Sequence, residues 1–171
     1  GIELDIQLTR DGELVVLHDE RVDRTTNGMG FVRDYSLTEI KSLKIDAGNA
    51  YPNQFIPTLT EVLELLEARL KAGLKLNIEL KNSVYPYGME EKLVALIHSR
   101  ELQNIVVYSS FNAKSLVKLK AIDPKAELGI LDTKVSDCLT KLKGGCGALA
   151  LHPFWRGMDL TTAELSGYTV R

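Results

Sequence analysis

The chain has 171 residues, 44% of them hydrophobic, enough for one domain with a sizeable core. Its 21 Lys and Arg are balanced against 23 Asp and Glu, and the mixed signs give no electrostatic reason to expect nucleic acid. No apolar run approaches the roughly 18 residues that a membrane span needs, and no signal peptide is visible.

Short β-like runs alternate with helical patterns, the rhythm of a parallel α/β domain. Residues 1–8 alternate, with Ile2, Leu4, Ile6 and Leu8 on one face and Glu3, Asp5 and Gln7 on the other. TRDG, from Thr9 to Gly12, is a turn in which Gly12 supplies the φ > 0 position. ELVVLHDE (13–20) is then a second short strand whose apolar run ends at His18. Asn27–Gly28 is a turn pair. SLTEIKSL reads as a short helix, with Ser36 and Glu39 spaced as a capping box. Residues 44–57 read as irregular loop. The clearest helix is TLTEVLELLEARLKAG. Thr58 and Glu61 form its capping box, Leu59, Val62, Leu63, Leu66 and Leu70 line one face, and Gly73 stops it.

From there strand and helix alternate regularly. LKLNIELK (74–81) is a strand and MEEKLVALIHSR (89–100) a helix. IVVYSSF (105–111) is a strand, followed by a helix capped by Asn112. AELGIL (126–131) is a strand, VSDCLTKLK (135–143) a short helix and ALALHPF (148–154) a strand. TTAELSG (161–167) is a brief helix with Thr161 and Glu164 as a further capping box, and YTVR begins one more strand. The repeat of roughly 25–30 residues suits a (β/α)8 barrel. A doubly wound sheet would carry a glycine-rich loop after its first strand. GGCG, from Gly144 to Gly147, precedes a strand and so reads as a helix-to-strand turn. Cys138 and Cys146 read as small core or loop residues; the compartment is left open, with the cytoplasm favoured.

A parallel barrel builds its site from the C-terminal ends of its strands. Glu3 and Asp5 share a face of the first strand, Asn77, Glu79 and Lys81 share a face of another, and the apolar run of ALALHPF ends at His152. Three carboxylates facing one lumen cannot all stay ionised without a counter-charge. One divalent cation resolves this, and an all-oxygen set without thiolate or paired histidine favours Mg2+ or Ca2+. Lys81 can pair with a carboxylate or reach an anionic substrate, and a cation plus a lysine is a phosphate clamp. His152 either lines the site or shapes a loop before Pro153. His98 reads as surface, and Phe154 and Trp155 as a loop anchor or a lid over an apolar group.

Taken singly, these signals are weak; their order is not. The run GIELDIQLTRDGELVVLHDERVDRTTNGMG through LNIELK resembles the glycerophosphodiester phosphodiesterase family. That family has an E-x-D strand, a short strand ending in H-D, a D-R-T-T-N-G turn and an E-x-K strand. Glu3, Asp5, His18, Asp19, Asp23 to Gly28, Glu79 and Lys81 match in order, and Ser109 to Phe111 resembles the family's S-F. The resemblance implies a metal-dependent hydrolase on a barrel that cuts glycerophosphodiesters to glycerol 3-phosphate and an alcohol. It implies that Glu3, Asp5 and Glu79 hold the cation and that His18 is one of two acid/base histidines. Lys81 would contact phosphate, Phe111 would line the pocket, and the family's insertion would span about 11–57.

The family also has an earlier strand with an H-R-G segment, and a closing strand and helix beyond YTVR. The expectation is therefore a barrel missing its first strand and its last strand and helix, with 1–171 as one partial domain. Such a polypeptide alone, with two open sheet edges, is expected to associate and to be nearly inactive. Two other readings keep the barrel. One is a lysophospholipase D or sphingomyelinase D-like activity. The other is a non-catalytic phosphate-ligand-binding barrel, against which stands the presence of Glu3, Asp5, His18 and Glu79.

Overall fold

In the computed structural model, which describes residues 1–48, 51–81, 88–159, 161–162 and 167–171, the alternating N-terminal run is a strand, β1 (Ile2–Leu8). The TRDG turn returns the chain antiparallel as β2 (Leu14–Val16), with Ile6 opposite Val16 and Leu8 opposite Leu14. A connection this short can only return antiparallel. The strand is shorter than the 13–20 expected, so His18 lies beyond its end.

The segment that follows builds a small core of its own. Val15, Val22, Val32, Ile40 and Ile56 are buried together, with Leu17, Tyr35, Leu37, Leu43 and Ile45 packed against them. Helix α1 (Leu37–Ser42) starts in the predicted capping box, Ser36 accepting from the Glu39 amide. The described residues of 44–57 are less irregular than their composition implies. Ile45 bridges both Thr26 and Gln54, and Ile56 is fully buried. Single bridges leave no periodic trace in a sequence, which is why this order was illegible.

Helix α2 (Leu59–Lys71) opens with the Thr58–Glu61 capping box and buries Leu59, Leu63 and Leu70. Removing the cap with Thr58→Ala should cost about 1 kcal/mol, read as a lower urea midpoint at unchanged m-value. After it come β3 (Leu76–Leu80), α3 (Met89–Ser99), β4 (Val106–Ser110), α4 (Ala113–Ile122), β5 (Glu127–Asp132), α5 (Val135–Lys143), β6 (Ala150–Pro153) and β7 (Thr169–Val170). Asn112 caps α4 through its side chain, as predicted. The capping box at Thr161 and Glu164 lies partly outside the described residues.

Among the described residues, seven strands form one sheet in the order β2-β1-β3-β4-β5-β6-β7, all parallel except the β1–β2 hairpin. One face of the sheet is apolar. Leu4, Ile6, Leu76, Ile78, Leu80, Tyr108, Leu128, Ile130 and Leu151 are buried in a single cluster with the inward stripes of α2, α3, α4 and α5. Cys138 and Cys146 are buried in that cluster, and burial pushes the Cys138 thiol up to about 11. The opposite face carries Glu3, Asp5, Asn77, Glu79 and His152, which line a hollow together with Val107 and Leu131. Helices on one face and this hollow on the other are the layers of a (β/α)8-type barrel, whose sheet is not closed among the described residues.

Candidate active site

Strand pairing decides which polar side chains meet. β1 and β3 are direct neighbours with Asp5 opposite Glu79 and Glu3 opposite Asn77. Because alternate side chains leave opposite faces of a strand, all four project into the hollow. One oxygen from each of Glu3, Asp5 and Glu79 lies within 4.8 Å of the others. Lys81 follows β3 and places its Nζ 2.6 Å from Glu79 Oε1 and 3.1 Å from Asp5 Oδ1.

The charges do not balance. Burial raises the pKa of Glu3, with Asp5 and Glu79 pushing it the same way. Burial also raises that of Glu79, against the pull of Lys81. One ammonium faces three crowded carboxylates, and desolvation already disfavours their charged forms. A hard divalent cation fits this donor set: all oxygens, closely spaced, with net negative charge.

Glu3, Asp5 and Glu79 line a cavity of about 840 Å³, whose wall also includes Asn77, His18 and His152, and Lys81 pairs with the cluster from outside that wall. Asn77 donates through Nδ2 to Ser109 Oγ at 2.9 Å. His18 is carried to the cavity by the chain beyond β2, and its Nδ1 stands 2.7 Å from Asp19 Oδ1. Asp19 is itself gripped twice by Arg24, at 2.6 Å from Nε and 3.0 Å from Nη2. The Arg24 guanidinium, helped by His18, holds the Asp19 carboxyl far below the usual range. An ionised carboxylate can only accept, so Nδ1 of His18 carries the proton and Nε2 is left for other partners.

The sequence matches the glycerophosphoryl diester phosphodiesterase family over residues 1–143. The chain belongs to that family. It is 48% identical over 136 residues to a glycerophosphodiester phosphodiesterase of Caldanaerobacter subterraneus, covering 77% of this chain and 54% of that protein. It is 39% identical over 171 residues to one from Bacillus altitudinis, covering 97% of this chain and 68% of that protein. The chain thus spans about half to two thirds of these relatives' length. Among solved structures it resembles an Oleispira antarctica phosphodiesterase in complex with the product sn-glycerol-3-phosphate. That likeness has a TM-score of 0.79 and 30% identity, and covers 98% of this chain and 70% of that one. An Agrobacterium tumefaciens glycerophosphodiester phosphodiesterase aligns with a TM-score of 0.76 and 26% identity, over 99% and 72% of the two chains.

In this member of the phosphodiesterase family, Phe111 stands beside Lys81, not in the cavity wall. Its half-exposed ring lies 5.9 Å from Lys81 Nζ and 5.7 Å from Lys141 Nζ. Lys141 escaped the sequence reading because nothing distinguishes it from the other lysines of its amphipathic helix. Folding brings its Nζ from α5 to Asp132 Oδ2 at 2.8 Å and to the Phe111 carbonyl at 2.7 Å, tying together the ends of β4 and β5. Arg24 fell within the D-R-T-T-N-G match, but its grip on Asp19 was not read; only the adjacency of His18 and Asp19 hinted at a supported histidine. His98 is exposed, as read from the sequence, and its Nε2 meets Asp123 Oδ2 at 2.8 Å between α3 and the end of α4. Phe154 and Trp155 are exposed just past β6, with ring centroids 5.9 Å apart and Arg156 over the Trp155 ring.

Proposed function

We propose that the whole protein hydrolyses glycerophosphodiesters to glycerol 3-phosphate and an alcohol with one divalent cation, Mg2+ or Ca2+, held by Glu3, Asp5 and Glu79. The observation that carries this reading is the convergence of those three carboxylates beside Lys81 in a cavity that His18 also lines. A phosphodiester is an anion, and bare carboxylates would repel it. Bound to this cluster, a divalent cation supplies the charge that neutralises non-bridging phosphate oxygens.

The chain's own residues have separable tasks. Lys81 is held at the cavity by Asp5 and Glu79, where its ammonium attracts a phosphate oxygen. His18, with its proton on Nδ1, presents Nε2 as a proton acceptor. Phe111 supplies an apolar edge next to Lys81. The segment at about 11–57 is the family insertion, and its small core is what delivers His18.

The test is release of glycerol 3-phosphate from glycerophosphocholine by the protein with Mg2+ or Ca2+ present. Turnover that survives complete removal of divalent cations overturns the reading. For the 171-residue chain alone, we expect cation-dependent binding of glycerol 3-phosphate with little turnover. Asp19→Asn should lower turnover by roughly 10- to 100-fold, because the ring loses its fixed tautomer while cation affinity is kept. Nitrogen NMR of the His18 ring checks the cause: the variant should show mixed tautomers where the unsubstituted protein shows one.

A further inference from the structure

Three strands beyond β3, with β4 and β5 between them, β6 brings His152 to the same cavity. The residue is only 9% exposed, and its Nε2 is buried without a hydrogen-bond partner among the described residues. Its position depends on one neighbour. A Cβ added at Gly129 of β5 would stand 2.4 Å from both Cε1 and Nε2 of the His152 ring, and 2.8 Å from its Cδ2. Real side chains never approach so closely. Gly129 does not occupy the left-handed region, so glycine is needed here for space and not for backbone freedom.

The charge state of this ring narrows what it can bind. Burial, with Arg171 nearby, pushes the His152 pKa down to about 4, against an opposing pull from Glu127. The imidazole is therefore neutral near pH 7 and has no net charge with which to attract phosphate. It does have a buried nitrogen whose hydrogen bond is unmet, which an uncharged hydroxyl satisfies. Phosphate has a better partner in the Lys81 ammonium, and in a cation that Glu3, Asp5 and Glu79 would hold.

We propose that His152, seated in the notch left by Gly129, is a specificity-determining residue of this site whose imidazole hydrogen-bonds a hydroxyl of the ligand's glycerol portion. The inference rests on the glycerophosphodiester reading and extends it by assigning the two ends of the ligand to different strands. Phosphate lies towards β1 and β3, and the polyol towards β5 and β6. A site that hydrogen-bonds a hydroxyl rejects the analogue lacking it, because the protein group is then left unpaired.

Calorimetric titration of the whole protein, saturated with Ca2+, tests this with glycerol 3-phosphate and with propyl phosphate, which lacks both hydroxyls. The unsubstituted protein should bind glycerol 3-phosphate about tenfold more tightly. His152→Leu should bring that ratio close to one while leaving propyl phosphate and Ca2+ affinities unchanged. Gly129→Ala should act the same way by displacing the ring, and His152→Gln should recover part of the ratio. Equal affinity for the two ligands in the unsubstituted protein overturns the role of His152 alone. A ratio that persists in a folded His152→Leu variant overturns it as well. Failure of the Ca2+-saturated protein to bind either ligand overturns the phosphodiester reading itself.

Discussion

Glu79→Gln is expected to abolish the rise in melting temperature that Ca2+ or Mg2+ produces in the unsubstituted protein, and to make the cation-free chain more stable. The two effects have one cause. Glu79 is buried against Asp5 and Glu3, and its folded pKa is raised above the ordinary 4.5, as is that of Glu3. A carboxylate that ionises less readily when folded stabilises fully below its unfolded pKa, and that contribution is lost as pH rises through its folded value. Near pH 7 the cation-free site is therefore under self-repulsion, which a neutral isostere relieves. The same change removes an oxygen donor. Cation at about 100 times its dissociation constant should stabilise the unsubstituted protein by about 2.7 kcal/mol, and the variant hardly at all. Phosphodiester turnover should fall by roughly 1,000-fold, several kcal/mol of transition-state stabilisation. Thermal melts with and without Ca2+ read the first two effects. A variant that still gains the full shift would show that the carboxylates do not share an ion.

Lys81→Met should act in the opposite direction. The ammonium is largely buried and lies within ion-pair distance of two carboxylates that are themselves 10% and 15% exposed. Removing one partner of a buried ion pair leaves an uncompensated charge, and the cation-free protein should lose about 3 kcal/mol. Saturating Ca2+ should return most of that loss, because the ion replaces the missing counter-charge. Affinity for glycerol 3-phosphate should remain weakened even then, since the phosphate loses its ammonium. Urea denaturation in EDTA and in Ca2+ separates these effects. An unchanged midpoint in EDTA would mean that Lys81 does not stabilise the cluster. Opposite signs for two neighbours in one site are hard to obtain by accident.

Glu79 and Lys81 also show how far a linear reading reaches. Their shared face follows from the two-residue period of LNIEL, and the polar face of IELDIQL follows in the same way. The caps at Ser36, Thr58 and Asn112 were equally legible, since a cap is satisfied within three residues of chain. His18 was found through its motif, but its support was not. Arg24 belongs to a turn whose geometry depends on the small core around Val22 and Ile40. The order within residues 44–57 was missed because isolated bridges have no period to detect.

The sequence by itself determined donor chemistry and local direction: which side chains are oxygen ligands, which faces they occupy, and where helices begin. Both follow from bonding geometry within a few residues. Only the tertiary structure decided that Asp5 stands opposite Glu79 across more than seventy residues of chain, that Lys141 ties β4 to β5, and that Gly129 makes room for His152. Those contacts join elements whose separation along the polymer carries no periodic signal. They exist because burying the apolar faces of the strands and helices in one core fixes strand order and register, and so fixes which polar groups meet on the other side.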